Sequence, residues 1–416
     1  MNNKAIYNLT NSINRNIKSI FTTLCTTVGL CASLSANATS LNDPISSVTF
    51  TDSNFANCVQ TTANTYNWQT IGEVTGLSCD NQNIHDLSGL EAFTNLETFY
   101  GRHNLISDLT PMAGLNKLKY VYVSHNQLNS LNGLDQKFDL LKLHASHNQI
   151  AQTTPALIEA YSIVELDLSH NQLIYVPDVG NNFIKTMILN NNQIVDIFPF
   201  FHYDTIENVF LHNNQISSLV VFAFLYDVKK VNLSNNQISD ISFMSHITTI
   251  EQLYLSGNSI TDISALASMT NLQLLDLNLN NISDISVLSD KTSLQTLYLA
   301  FNQINDLQGL ANKPQLRTLL LNNNQISDTS AITGMDQLEL LYLQYNNIAA
   351  IDTFDSLSAI KVLNLAVNNL GNLSPLFNST TLNDLNLRNN LNISCSEVSA
   401  LESNLGTGVV NQNSCN

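Results

Sequence analysis

The chain has 416 residues and a formal net charge of -17, with 16 Lys and Arg against 33 Asp and Glu. Binding to phosphate backbones or anionic lipid needs clustered cations, so this balance excludes nucleic acid as a partner and disfavours attraction to an anionic membrane. Length alone suggests two or three globular domains, but internal repetition overrides that expectation.

The first residues are basic, with Lys4, Arg15 and Lys18 and no acid, and a mostly apolar run follows from Ile20 to Leu34. Ala36-Asn37-Ala38 then supplies a small-x-small cleavage site, so residues 1–38 read as a secretory signal peptide. The run is short and interrupted by Thr22, Thr23, Thr26 and Thr27, which argues against a membrane anchor. No later stretch reaches spanning length, so the mature chain is expected to carry no membrane span and to be secreted, extracellular or periplasmic. Export would remove Cys25 and Cys31 and leave Cys58, Cys79, Cys395 and Cys415, an even number suited to an oxidising compartment.

From residue 74 the pattern L-x-x-L-x-L-x-x-N-x-I recurs with a period of 22. Its Asn slot is filled by Asn104, Asn126, Asn148, Asn171, Asn192, Asn214, Asn236, Asn258, Asn280, Asn302, Asn324, Asn346, Asn368 and Asn390. An imperfect earlier copy has Gln82 in that slot, which makes about 15 repeats. The L-x-L alternation is that of a short strand with its leucines inward. One unit leaves its apolar edge exposed, and stacking buries the edges in a continuous core under a parallel sheet. The Asn amide is suited to satisfying turn backbone that water does not reach.

An Asp often stands between the two inward slots after a strand, at Asp108, Asp196, Asp240, Asp262, Asp284, Asp306 and Asp328. Stacked carboxylates suit calcium. The simpler reading is that each caps a short helical turn.

These repeats resemble the bacterial leucine-rich-repeat family typified by the internalins, over residues from about 74 to 395. The resemblance implies an α/β solenoid with a concave parallel sheet, short 3₁₀-like turns on the convex face and recognition on the concave side. Ala145, Thr153 and Thr329 depart from the pattern in Leu slots, and Asn392 breaks the last unit. There is no Leu-Pro-x-Thr-Gly motif, so the wall anchoring of some members is not carried over.

A solenoid needs closed ends. Residues 39–73, with the only Trp, Trp68, read as an N-terminal cap, 74–391 as the repeats and 392–416 as a C-terminal cap. By repeat position Cys79 and Cys395 both face the core. The simplest pairing joins Cys58 with Cys79 and Cys395 with Cys415, each bridge contributing about 3 kcal/mol.

His103, His125, His147 and His170 directly precede the slot Asn in four successive repeats, and strand spacing of about 4.8 Å would stack them. Such a column could sense pH, hold a metal, or simply be an acceptable strand edge. His144 and His212 fall on the same side by parity. Tyr100, Tyr120, Tyr122, Phe210, Tyr254, Tyr298 and Tyr342 occupy outward strand positions, with Phe301 and Tyr345 at the strand edge. Tyrosine suits an interface because it offers a large area with a polar tip at low entropic cost. Phe198, Phe201 and Phe224 fall outside the inward slots and place a second aromatic group on the outer face.

No nucleotide loop, zinc-protease helix or nucleophile elbow interrupts the repeats. The chain therefore reads as a non-enzymatic, cofactor-free recognition module that binds a protein through its concave face. A surface polysaccharide is the alternative ligand, and a structural surface component the alternative role.

Overall fold

The structure is a computed structural model, and it describes residues 40–153, 156–180, 183–406, 408–412 and 415. The expected signal peptide lies outside the described residues. Residues 41–416 form one compact unit, which holds every described strand and helix.

Among the described residues, sixteen parallel strands form one sheet in strict chain order, from β1 (Gly76–Ser78) through β15 (Asp384–Asn386) to β16 (Val410–Asn411). Neighbouring strands pair with a 22-residue offset over most of the sheet, as in Leu275 opposite Leu297. Their middle residues are buried and the flanking two half-exposed, so each three-residue strand sends one side chain into the core. Short 3₁₀ turns lie after most strands, such as Ser286–Leu288 and Gln308–Leu310.

The slot asparagines join one repeat to the next. Asn280 is 7% exposed. Its Nδ2 donates to the carbonyls of Leu255, Leu277 and Asn278 at 3.0, 3.2 and 3.1 Å, and its Oδ1 accepts from the backbone N–H of Ile260 at 3.0 Å. Equivalent bonds recur from Asn104 to Asn390. All seven aspartates between the inward slots accept the N–H two residues on, as Asp284 does from Ser286 at 2.8 Å. That N–H belongs to the first residue of the turn, so the carboxylate caps it as expected, from one position further back than an ordinary helix cap.

Both ends are closed by helices that the repeat pattern did not reveal. Helix α1 (Ser53–Tyr66) buries Phe55, Cys58, Val59, Thr62 and Ala63 along one face. Asp52 caps it by accepting from Asn54 and Phe55, while its other oxygen accepts from His85 and Asp86 of the first repeat. Burial works to raise the Asp52 carboxyl, but these backbone N–H groups hold it below its usual value. Helix α2 (Cys395–Leu405) is capped by Ser394, and the chain after it adds β16 to the sheet. Cys58 is bonded to Cys79, and Cys395 to Cys415. Cys79 is buried, but Cys395 is exposed, which corrects the expectation that both face the core. The chain leaves the repeat path after Asn390. Ile393 takes the buried place, and Cys395 opens a helix that buries Val398 and Leu401 instead.

Three lysines occupy an inward slot filled elsewhere by Leu115, Ile247 or Met269. Lys137, Lys291 and Lys313 are at most 1% exposed. Their ammonium groups donate to carbonyls in the turn of the preceding repeat, Ala113, Ala267 and Ser289, at 2.8 to 2.9 Å. The stems pass through the core and the heads satisfy turn carbonyls. Burial pushes all three ammonium groups below the ordinary lysine range.

Two outcomes follow for stability. Asn280→Ala, which strands the Ile260 N–H and three carbonyls, should cost about 3 kcal/mol in urea unfolding, against about 1 kcal/mol for Asp284→Ala. For the lysines, the unfolded chain binds more protons than the folded one between their depressed values and the usual range of about 10.4. Stability attributable to them should therefore rise with pH through that window, and a Lys137→Met, Lys291→Met, Lys313→Met variant should lose this slope.

Candidate functional site

Packing and turn satisfaction dictate the inward Leu, Ile and Asn slots, so recognition chemistry can vary only on the solvent face of the sheet, along its edges and on the outer turns. The expected residues lie there. Tyr100, Tyr122, Phe210, Tyr254, Tyr298 and Tyr342 all end strands with their side chains half-exposed. Tyr100 stacks on Tyr122 with centroids 4.8 Å apart, and the Arg102 guanidinium lies 5.5 and 5.9 Å from the two ring centres. Asp80 fixes that guanidinium through paired bonds of 2.9 and 2.6 Å. Further along, Asp276 stands between Tyr254 and Tyr298, and burial raises its carboxyl above the usual range.

Charge is concentrated just before the strands. Glu97 pairs with Lys119, Glu207 with Lys185 and Lys229, and Glu339 with Arg317 and Lys361, at 2.6 to 3.1 Å. These pairs are solvent-screened and contribute little to stability. At the surface, Lys142 and His144 both bond Glu165. Burial would raise that carboxyl, but the two donors keep it lowered.

The opposite edge, just before each slot Asn, carries a feature that the spacing alone did not reveal. Every residue there is left-handed, with φ between 53° and 65°: His103, His125, His147, His170, Asn191, Asn213, Asn235, Gly257, Leu279, Phe301, Asn323, Tyr345, Val367 and Asn389. The chain must turn inward at this point so that the following Asn can reach the core. Gly and Asn accept this conformation readily, whereas β-branched and bulky side chains rarely adopt it.

Three segments use the edge differently. The four histidines form a continuous stack, with centroids 4.2, 4.1 and 3.9 Å apart and ring planes within 13° of parallel. Parallel rings set their in-plane nitrogens side by side without converging. Among the described residues, no group of three or more His, Cys, Asp or Glu could hold a metal ion. The stack then passes into a ladder of amides. Asn235 Nδ2 donates to Asn213 Oδ1 and Asn213 Nδ2 to Asn191 Oδ1, both at 2.8 Å, and Asn191 Nδ2 meets His170 Nε2 at 3.1 Å. In that direction of donation His170 must accept, as a neutral imidazole does and a protonated one does not. Gly257 ends the ladder, where a Cβ would come within 2.2 Å of Asn235 Oδ1.

Beyond it the edge is mostly apolar, with Asn323 and Asn389 as the polar exceptions. Leu279, Phe301 and Tyr345 are 54%, 49% and 55% exposed, and Val367 is half-exposed. The adjoining sheet face adds the half-exposed Leu274, Leu320, Leu340 and Val362. On the turn side Phe198, Phe201 and Phe224 are also exposed, with Phe201 4.5 Å from Phe224 and 6.1 Å from Phe198 between ring centroids. Phe200 and Phe222 fill the core beneath them.

Among the described residues, no helix is long and apolar enough to cross a membrane. The family model described as "Leucine Rich repeats (2 copies)" matches in overlapping stretches from residue 227 to 359. No curated protein sequence matches the chain. An internalin (inlF) of Listeria monocytogenes is 27% identical and has a TM-score of 0.72, with 78% of this chain and 98% of that one covered. A leucine-rich-repeat protein of Leptospira interrogans is 21% identical, with a TM-score of 0.73 and coverage of 82% and 96%. A plant peptide hormone receptor, solved in complex with RGF2, is 17% identical, with a TM-score of 0.64 and coverage of 80% and 61%. The last two likenesses concern the fold.

The histidine stack sets a sign for the response to acid. Burial, and then the neighbouring imidazoles, lower His125 and His147 below their ordinary value, while Asp167 opposes this at His147. The unfolded chain therefore takes up protons first, at about pH 6.5. The neutral stack should contribute its full stability above that pH and lose it as pH falls toward the depressed values. Replacing His103, His125, His147 and His170 with Asn, which tolerates the left-handed turn, should reduce the difference between urea midpoints at about pH 7.5 and about pH 5. An unchanged difference would show that the stack does not couple protonation to folding.

Proposed function

We propose that this chain, a leucine-rich-repeat protein with internalin-like repeats, is an exported, non-catalytic recognition module that binds a protein partner. The binding surface is the solvent face of the sheet together with its left-handed edge. Export is supported by the basic, apolar and small-residue order of residues 1–38 and by the two disulfides, which suit an oxidising compartment. In this reading residues 39–73 and 392–416 are the end caps and 74–391 the repeats.

One observation carries the assignment. Leu279, Phe301, Tyr345 and Val367 hold exposed or half-exposed apolar side chains on backbone with φ of 54° to 58°. Asn occupies the same slot in Asn191, Asn213 and Asn235 and makes hydrogen bonds there. Folding gains nothing from the bulky residues, because each adds left-handed strain of roughly 1 kcal/mol and leaves apolar area in water. Strain of this kind is kept where it serves a site. Contact with an apolar partner surface would turn the exposed area into binding energy. Tyr254, Tyr298 and Tyr342 lie on the neighbouring strands and supply larger anchors.

Affinity capture from candidate cell surfaces, with identification of the bound protein, tests the assignment. Changing Leu279, Phe301, Tyr345 and Val367 together to Asn should abolish capture while leaving the thermal midpoint unchanged or higher. Changing Tyr254, Tyr298 and Tyr342 to Ser should weaken it by several kcal/mol, at about 2 kcal/mol per anchor. Normal capture by both variants, with loss on replacing Phe198, Phe201 and Phe224, would move the interface to the turn side.

A further inference from the structure

At the N-terminal end of the sheet, the end of α1 and the first two strands enclose an open cleft of about 400 Å³. That volume lies within the range of small-molecule sites. Its wall on the cap side is Tyr66, 64% exposed, stacked on Trp68 with centroids 4.9 Å apart and planes 21° from parallel. Trp68 in turn packs partly against the core, so the exposed ring stacks on a side chain that the fold anchors. On the sheet side the cleft is lined by Tyr100, itself stacked on Tyr122, with the Asp80-bound Arg102 beside the pair. Thr98 and Glu97 supply a hydroxyl and a carboxylate at the rim, with Glu97 bonded to Lys119.

The floor is Gly76. Its strand slot carries a side chain in the four repeats after it, Thr98, Tyr120, Lys142 and Glu165 in turn. Nothing in the fold demands a glycine here. Gly76 is not among the left-handed residues, and a Cβ would come no closer than 3.8 Å to Thr98. The absent side chain therefore serves the opening above it.

We propose that this cleft is a saccharide subsite that takes a neutral sugar ring. Flat aromatic faces match the C–H face of a pyranose, and the hydroxyl and carboxylate at the rim match its peripheral hydroxyls. The Glu97 carboxylate and the net charge of -17 oppose an anionic sugar. A cation would have to compete with Lys119 for Glu97.

Trp68 is the only tryptophan in the chain, so its emission reports directly on the cleft. Titrating the full chain with cellotriose, maltotriose and N-acetylchitotriose should give a saturable emission change with at least one of them. Gly76→Phe should remove that change by filling the floor, with the thermal midpoint retained. Tyr66→Ala, at an exposed position, should weaken it without unfolding the cap. A flat response to all three sugars, or a response retained in Gly76→Phe, overturns the assignment. So does tighter binding of tyrosinamide, which would make the cleft a pocket for a peptide side chain. The variant with Asn at Leu279, Phe301, Tyr345 and Val367 should respond to sugar as the parent does, so failure of either assignment can be told from failure of the other.

Discussion

The structure depends on one constraint: the chain must turn sharply into its own core once in every repeat, where water cannot satisfy the turn. The slot asparagine meets this need with a side chain that both donates and accepts. Each donates to carbonyls of its own and the preceding repeat and accepts an N–H from the preceding repeat, as Asn280 does. Because the partners span two units, a repeat is complete only when its neighbour is in place. This is why the array behaves as a one-dimensional stack, and why its ends need helices, disulfides and the Asp52 clamp.

The same constraint creates the surface. Turning inward at the slot Asn forces the preceding residue into a left-handed conformation, and that residue points away from the core. The fold thus leaves a column of positions that is fixed in backbone and free in side chain. Over His103 to His170 the freedom is used for ring stacking, and over Asn191 to Asn235 for amide bonding. From Leu279 onward it is used mostly for apolar groups, at Leu279, Phe301, Tyr345 and Val367, with Asn323 and Asn389 as the polar exceptions. The first two uses relieve the column locally, since each side chain finds its partner in the next repeat. The third does not, since its apolar side chains are left in water.

Much of this was legible in the sequence, because a strict period turns spacing into position. The 22-residue frame places Leu275 opposite Leu297, sets the capping aspartates on their turns and stacks the histidines without reference to any contact. Where the period stops, legibility stops with it. Counting on from Asn390 puts Cys395 in a repeat that no longer exists, because helix α2 and β16 replace it. The cap helix α1 has an amphipathic face but no repeat to announce it. Lys137, Lys291 and Lys313 were hidden for the opposite reason. They sit perfectly in frame, but a charged residue in an inward slot reads as an exception until the turn carbonyl waiting for its ammonium is seen.

The left-handed edge and the N-terminal cleft show the limit in its physical form. A one-letter pattern records which residue fills a slot, not what backbone the slot imposes. His103 and Phe301 therefore look like unrelated residues at one strand edge, although both bear the same φ of 55° to 56°. Only that shared geometry separates a side chain that suits its backbone from one held against it. Gly76 is the converse case. A glycine in a strand ordinarily signals a tight approach or an unusual turn, and here it signals neither, since a Cβ would meet nothing closer than 3.8 Å. Once conformation and crowding are both removed as reasons, what the missing side chain leaves is space. That space lies between two aromatic stacks, Tyr66 on Trp68 and Tyr100 on Tyr122, and a ring ordered in folding costs less to order on binding.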